Sequence, residues 1–175
     1  MYSLLSEGMI QLSIVNPAGI SLYLLIADRD LLNIIRKFQP PDFPWVIEIE
    51  RQVFNEHDPF FYMQFYETCS DGFIVAQING FIVGFVVGFL TSETTGRIFS
   101  LAVHPSYQNR KLGSALLKEI KDVFREMGVS EIILEVRSGN VKAKRFYERH
   151  GFCKTGVMEK YYNDGESACM MRSDI

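Results

Sequence analysis

The plainest chemistry in this chain lies in the turn Gln108-Asn109-Arg110-Lys111-Leu112-Gly113-Ser114. It stands between an apolar run, Phe99 to Val103, closed by His104-Pro105, and a helical pattern that starts at Leu112. Backbone N–H groups at a helix N-terminus are unpaired and carry partial positive charge, so they hold phosphate without needing particular side chains. Arg110 and Lys111 add full charges, and Gly113 lets the backbone come close to a ligand. Basic residues at a turn are as often simply solvated, so the turn alone does not decide. Glu135 alternates against Ile132, Leu134 and Val136, which points it away from the core set. By itself it reads as a surface carboxylate. Tyr147 reads by itself as a core residue of a helix. Glu56 reads equally well as a solvated loop glutamate or as a group near a substrate. The basic run Lys142, Lys144, Arg145, Arg149 reads as a wet helix face rather than an RNA patch.

The elements that would position these residues follow from periodicity. Phe73–Ile78 and Phe81–Leu90 flank Asn79-Gly80, a pair suited to the positive φ angles of a two-residue hairpin. Arg97–Val103 is the next strand. Leu112, Ala115, Leu116, Ile120, Val123, Phe124 and Met127 form an amphipathic stripe, ended by Gly128 as a left-handed cap. A strand over Glu131–Arg137 follows, then a helix capped by Asn140 and closed by Gly151, then a strand pair over 152–159 and 168–172. Upstream, Ile34–Phe38 reads as a strand. Asp42 is expected to cap a helix reaching Phe54, and Asp58-Pro59 to restart one. That second helix is aromatic all round (Phe60, Phe61, Tyr62, Phe65, Tyr66), mostly core, with one edge expected along a groove. Tyr161 and Tyr162 fall at the last hairpin. Neighbours on a strand face opposite ways, so one of the two is expected to touch a ligand and the other to pack. The order of elements implies an α/β fold: a mixed, mostly antiparallel sheet with helices on both faces.

A chain of 175 residues, 47% hydrophobic and 22% charged, is most simply one soluble domain with a full core. The net charge of -3 argues against a general affinity for nucleic acid. Cys69, Cys153 and Cys169 form no CxxC pair, which fits a reducing compartment and supplies no zinc ligand set. The first 26 residues carry only Glu7 as a charge and lack the positive start of a secretory signal. Gln11, Asn16, Pro17 and Gly19 interrupt any bilayer span. A cytoplasmic protein without membrane contact is expected. Leu12–Val15 and Leu22–Ala27 read as short strands around Asn16-Pro17. Residues 1–32 are read as an N-terminal extension packed on a domain of residues 33–175, with a docking or dimer arm as the alternative.

Several motifs in order carry a resemblance. The Gln108–Ser114 turn resembles the Q/R-x-x-G-x-G/A pyrophosphate loop of the GNAT-superfamily N-acetyltransferases. Leu134-Glu135-Val136-Arg137, Asn140 and Tyr147 resemble the next signature segments, in RimI-type N-alpha-acetyltransferases especially. Lys160-Tyr161-Tyr162-Asn163-Asp164-Gly165-Glu166-Ser167-Ala168 resembles the K-Y-Y-x-D-G-E-x-A ending shared with arrest-defective-type protein N-terminal acetyltransferases. The similarity runs over roughly residues 34 to 175. It implies a GNAT fold with acetyl-CoA as cosubstrate and no metal. It implies that Leu101, Ala102 and Val103 pair with the pantetheine arm, that Asn109, Arg110, Lys111, Leu112, Gly113 and Ser114 hold the pyrophosphate with Gln108 also at the cofactor, and that Asn140 contacts the cofactor further along. Glu135 is implied as general base and Tyr147 as general acid near the sulfur. Glu56, Tyr161 and Tyr162 are expected at the acceptor, a protein or peptide N-terminus, with the ribosome or nascent chains as partners. The acceptor groove is expected between residues 54–66 and the two tyrosines. A lysine or small-molecule amine acceptor, and a non-catalytic acyl-CoA-binding subunit, are the alternative readings. Lys111 departs from the motif by standing at the first loop glycine, and it is expected to take helical angles.

Overall fold

The computed structural model describes residues 9–15, 21–27, 33–54 and 58–175. Strands β1 (Met9–Val15) and β2 (Ser21–Ala27) pair antiparallel as a separate two-stranded ladder, as expected for residues 12–15 and 22–27. The main sheet has seven strands: β3 (Asn33–Lys37), β4 (Phe73–Ile78), β5 (Phe81–Leu90), β6 (Thr95–Val103), β7 (Glu131–Arg137), β8 (Cys153–Met158) and β9 (Ala168–Asp174). Their spatial order is β3-β4-β5-β6-β7-β9-β8, antiparallel throughout except for the parallel β6–β7 pair. A parallel pair needs a crossover, and α3 (Leu112–Glu126) supplies it.

Both faces of the sheet are covered, which is why β5 is buried nearly end to end. Ile82, Phe85 and Val87 meet α1 (Phe43–Val53) and α2 (Pro59–Cys69), whereas Val83 and Val86 meet α3. On α3, Leu112, Leu116, Leu117, Ile120 and Phe124 form the buried stripe anticipated from the 3.6-residue period. The Asn79-Gly80 hairpin has the expected geometry, with φ of 51° and 87°. Gly96 on β6 serves a different need: a Cβ there would lie 2.7 Å from the Phe124 ring, so only glycine lets α3 pack this closely. Helix α4 (Val141–Arg149) is capped by Asn140, whose Oδ1 accepts from the Ala143 N–H at 2.9 Å, and it buries Tyr147 among the α3-side core.

Two expectations are corrected here. Asp42 does not cap α1. Its side chain makes no cap bond to that helix; instead its carboxylate takes both arms of the Arg36 guanidinium, at 2.7 and 2.8 Å, and the Gln39 N–H at 2.9 Å. A buried carboxylate gains more from a two-armed charge-assisted pair than from one amide. In α2, Tyr62 is fully buried and Phe65 and Tyr66 pack on the same core, while Phe60 and Phe61 face solvent. No edge of this helix reaches the groove described next.

Candidate active site

The β6–β7 pairing covers only Thr95–Ile98 against Glu131–Leu134. Beyond that point the strands part, and a bulge in the β5–β6 ladder between Ile98 and Ser100 coincides with the parting. The opening holds a cavity of about 560 Å³. Its lining runs from Val53 and Phe54 on one face of the sheet to Gly113, Ala143 and Phe146 on the other, so it passes through the sheet at the seam.

The far half, between α3 and α4, has features that could hold an anion. Lys111 precedes α3 and the first helical bond is Ala115 N–H to Lys111 O, which leaves the N–H groups of Leu112, Gly113 and Ser114 outside the helical ladder. No side chain caps this end, and no acidic residue stands in the first turn. Asn109 and Lys111 both adopt left-handed angles, φ 63° and 62°, and alternation of that kind gathers amide groups into a concave anion site. Lys111 therefore does not have the helical angles expected for it. The loop must reverse direction immediately before α3, and lysine accepts a strain of about 1–2 kcal/mol there. Gly113 is not demanded by the protein's own packing, since a Cβ would meet Phe146 only at ordinary contact distance, 3.6 Å.

Along β6, His104 N–H bonds Val83 O, so by the alternation of an antiparallel ladder Leu101 and Val103 turn their amide edges into the opening and Ala102 turns its own toward β5. The Val103 carbonyl is already taken by Gln108 Nε2 at 3.1 Å, and Gln108 Oε1 accepts from Lys142 Nζ at 2.7 Å. The Gln108 side chain thus braces the loop. Leu112 is buried in the core, and the Ser114 hydroxyl is bonded to His150 Nε2 at 2.9 Å. Because His150 Nδ1 lies 2.7 Å from the Phe146 carbonyl, it is the donor there, and a neutral ring then accepts the Ser114 hydroxyl. Arg110 does not line the cavity; its guanidinium lies over the Tyr107 ring, 5.2 Å from the centroid. Asn140 lines the cavity while capping α4.

Glu135 and Tyr147 both line the central part. As the β7 alternation requires, Glu135 sits opposite Leu134 and Val136. Its Oε2 accepts from Arg97 Nε at 3.0 Å and pairs with Nη2 at 2.9 Å; the carboxylate side chain is 12% exposed. Arg97 Nη2 also donates to the Tyr161 hydroxyl at 2.8 Å. Tyr147 packs edge-on against Phe146 and Phe152, and burial, with neighbouring Tyr162 adding to it, pushes its phenol well above the ordinary tyrosine range.

Tyr161 and Tyr162 both line the near mouth, and Tyr162 also packs under Arg137. They belong to the loop between β8 and β9, after Lys160 at φ 53°, so strand alternation does not apply. Arg137 holds this loop in place. It pairs with Asp164 at 2.8 Å and Glu166 at 2.7 Å and stacks on Tyr162, 4.1 Å from the ring centroid. The acidic residues of the K-Y-Y-x-D-G-E segment are therefore anchors. From the stretch 54–66, Phe54 is the residue among those described that reaches the cavity; Glu56 lies outside the described residues. Arg97 and Ser100, both in the lining, are not singled out by the sequence reading. Their signal was polarity within the otherwise apolar run 97–103. Among the described residues, no group of three or more His, Cys, Asp or Glu stands where it would hold a metal ion, and no helix is long and apolar enough to cross a membrane.

The chain is similar to known proteins. An uncharacterised N-acetyltransferase of Methanocaldococcus jannaschii is 39% identical over 140 residues, 79% of this chain and 89% of that protein. The [ribosomal protein bS18]-alanine N-acetyltransferase of Escherichia coli is 40% identical over 81 residues, 45% of this chain and 55% of that enzyme. The crystal structure of Ard1 from Thermoplasma volcanium superposes with a TM-score of 0.80 at 31% identity, covering 83% of this chain and 99% of that one. The family model described as "Acetyltransferase (GNAT) family" matches residues 32–152. With that model matching well over half of the chain, and a relative 39% identical covered over 89% of its length, the chain belongs to the GNAT acetyltransferase family.

Proposed function

We propose that this protein transfers the acetyl group of acetyl-CoA to the N-terminal α-amine of a protein or peptide, by direct attack with both substrates bound. The observation that carries the reading is the cavity through the sheet: an anion cradle on the α3–α4 side, Glu135 and Tyr147 at the middle, and a mouth edged by Phe54, Tyr161 and Tyr162. Acetyl-CoA supplies the activated acyl group as a thioester. The amides of Leu112, Gly113 and Ser114, with Asn109 and Lys111, fit its pyrophosphate, and the amide edges of Leu101 and Val103 fit its pantetheine arm.

Glu135, oriented by Arg97, takes a proton from the attacking nitrogen, directly or through one water. The N–C bond forms as the C–S bond breaks, and Tyr147 delivers the proton that the leaving sulfur needs. A phenol carries its proton at neutral pH, and burial, which raises its pKa, holds that proton until charge develops on the sulfur. A peptide α-amine, with a pKa of about 7.7–8.0, is easily made neutral for attack, whereas a lysine amine near about 10.4 is a harder target. The Escherichia coli relative is named for an alanine of ribosomal protein bS18, and a protein N-terminus of that kind, on a ribosome or a nascent chain, is the acceptor we propose here.

A library of short peptides varied at the first two residues, scored separately for α- and ε-acetylation, tests this reading. Acetylation of free N-termini and not of lysines in N-blocked peptides is expected. The opposite pattern would move the assignment to side-chain amines.

A further inference from the structure

Ser100 is a polar group in the cavity wall to which the scheme above gives no task. Its residue is 5% exposed and lines the cavity, yet its Oγ has no hydrogen-bond partner. Buried hydroxyls are nearly always bonded, and an orphan at a cavity wall marks a place where a bound molecule completes the bonding.

The location narrows what that molecule presents. Ser100 follows the bulge at Phe99, which resets the alternation of β6, so it shares a face with Ala102 and turns toward the α1–α2 side. Along β6 it stands between Arg97, which holds Glu135, and Leu101, whose amide edge opens toward the pantetheine side. It is therefore at the junction of the two halves of the cavity, where amine and thioester meet. The other polar groups nearby are engaged: Arg97 with Glu135 and Tyr161, and the Val103 carbonyl with Gln108.

We propose that Ser100 Oγ, sealed from solvent in this structure, turns about its Cα–Cβ bond when substrate binds and is a positioning group that accepts one N–H of the attacking amine. The neutral amine carries two N–H bonds. One proton leaves to Glu135 as the N–C bond forms; the other stays on nitrogen, in the product amide, donated to Ser100. Held in this way, the nitrogen lone pair faces the acyl carbon. The inference rests on the reading of the cavity as an acetyl-transfer site with a peptide α-amine as acceptor.

The test uses two conjugates of CoA, each joined through an acetyl bridge on sulfur to a short peptide. One is linked through the peptide's α-nitrogen as an amide; in the other an ester oxygen replaces that N–H. Calorimetry on the full chain should find the amide bound about five- to tenfold tighter than the ester by the wild-type protein. Ser100→Ala should bind both equally, bind CoA as the wild type does, and melt no lower, because it removes an unpaired buried hydroxyl. Ser100→Cys, similar in size and a weak acceptor, gives the same comparison should the alanine variant fold poorly. A preference for the amide that survives in these variants, or no preference in the wild-type protein, overturns the proposal. Conjugates that bind no tighter than CoA would remove the acceptor half of the cavity, and this inference with it.

Discussion

Lys111 shows how a single residue can satisfy a motif's chemistry while violating its stereochemistry. Its φ of 62° belongs to the region where glycine is at ease. Lys111→Gly should leave the melting temperature unchanged or slightly raised, because relief of about 1–2 kcal/mol of strain is partly offset by glycine's extra chain entropy. Acetyl-CoA should bind up to about fivefold more weakly, with a flatter dependence on ionic strength, since a charge near the phosphates is lost. Titrations of the cofactor at two salt concentrations check this. Glu135→Gln and Tyr147→Phe should each lower kcat by about a hundredfold or more while leaving cofactor binding nearly intact. The Tyr147 pKa adds a pH signature. Its folded value lies above the unfolded one, so the stabilisation from burying the neutral phenol is fully present below about pH 10 and is lost as pH rises from there through the folded value. No alkaline fall in rate below pH 10 should trace to this group, and a profile of kcat for wild type and Tyr147→Phe reads that directly.

At the scale of an element, the β8–β9 loop is held by charge. The Glu166 carboxylate is kept below the usual range chiefly by the Gly139 N–H and then by Arg137; Asp164 is kept low chiefly by the Glu166 N–H and then by Arg137. Depressed carboxylates contribute stability that is present above their unfolded pKa values, about 4, and is lost as pH falls through the folded ones. Acid below about pH 4 should therefore loosen the Tyr161–Tyr162 loop before the sheet. Near-UV tyrosine dichroism should change at a higher pH than far-UV dichroism does. Glu166→Gln should raise the KM for the acceptor peptide more than that for acetyl-CoA, because the loop edges the near mouth alone. The loop also shows why strand alternation does not sort the adjacent tyrosines: a period of two is a property of strands, and at Lys160 the chain has already left β8. Asp42 was misread for a related reason. A carboxylate before a helix signals a cap only where no guanidinium competes, and Arg36 arrives from a neighbouring strand.

For the whole molecule, one sheet covered on both faces carries the seam and the stability together. Gly96→Ala pushes a Cβ to 2.7 Å from Phe124 and should cost about 1–3 kcal/mol, read as a lower midpoint in chemical denaturation. Adding Phe124→Leu should cost less than the sum of the two single changes, since the smaller side chain gives the methyl room. The sequence by itself determined the parts whose physics is local. These are the Asn79-Gly80 hairpin, the α3 stripe, the Asn140 cap, the turn before α3, and the facing of Glu135 away from the core residues of β7. Each follows from neighbours within a few residues, where φ preferences, period and unpaired amides act. Only the tertiary structure decided where the sheet parts, that Arg97 spans from β6 to hold Glu135 and Tyr161, that Arg137 clamps the last loop, and that Ser100 is buried without a partner. Those depend on strands brought together from up to 64 positions apart in the chain, and no local preference records which polar group will meet which across such a distance.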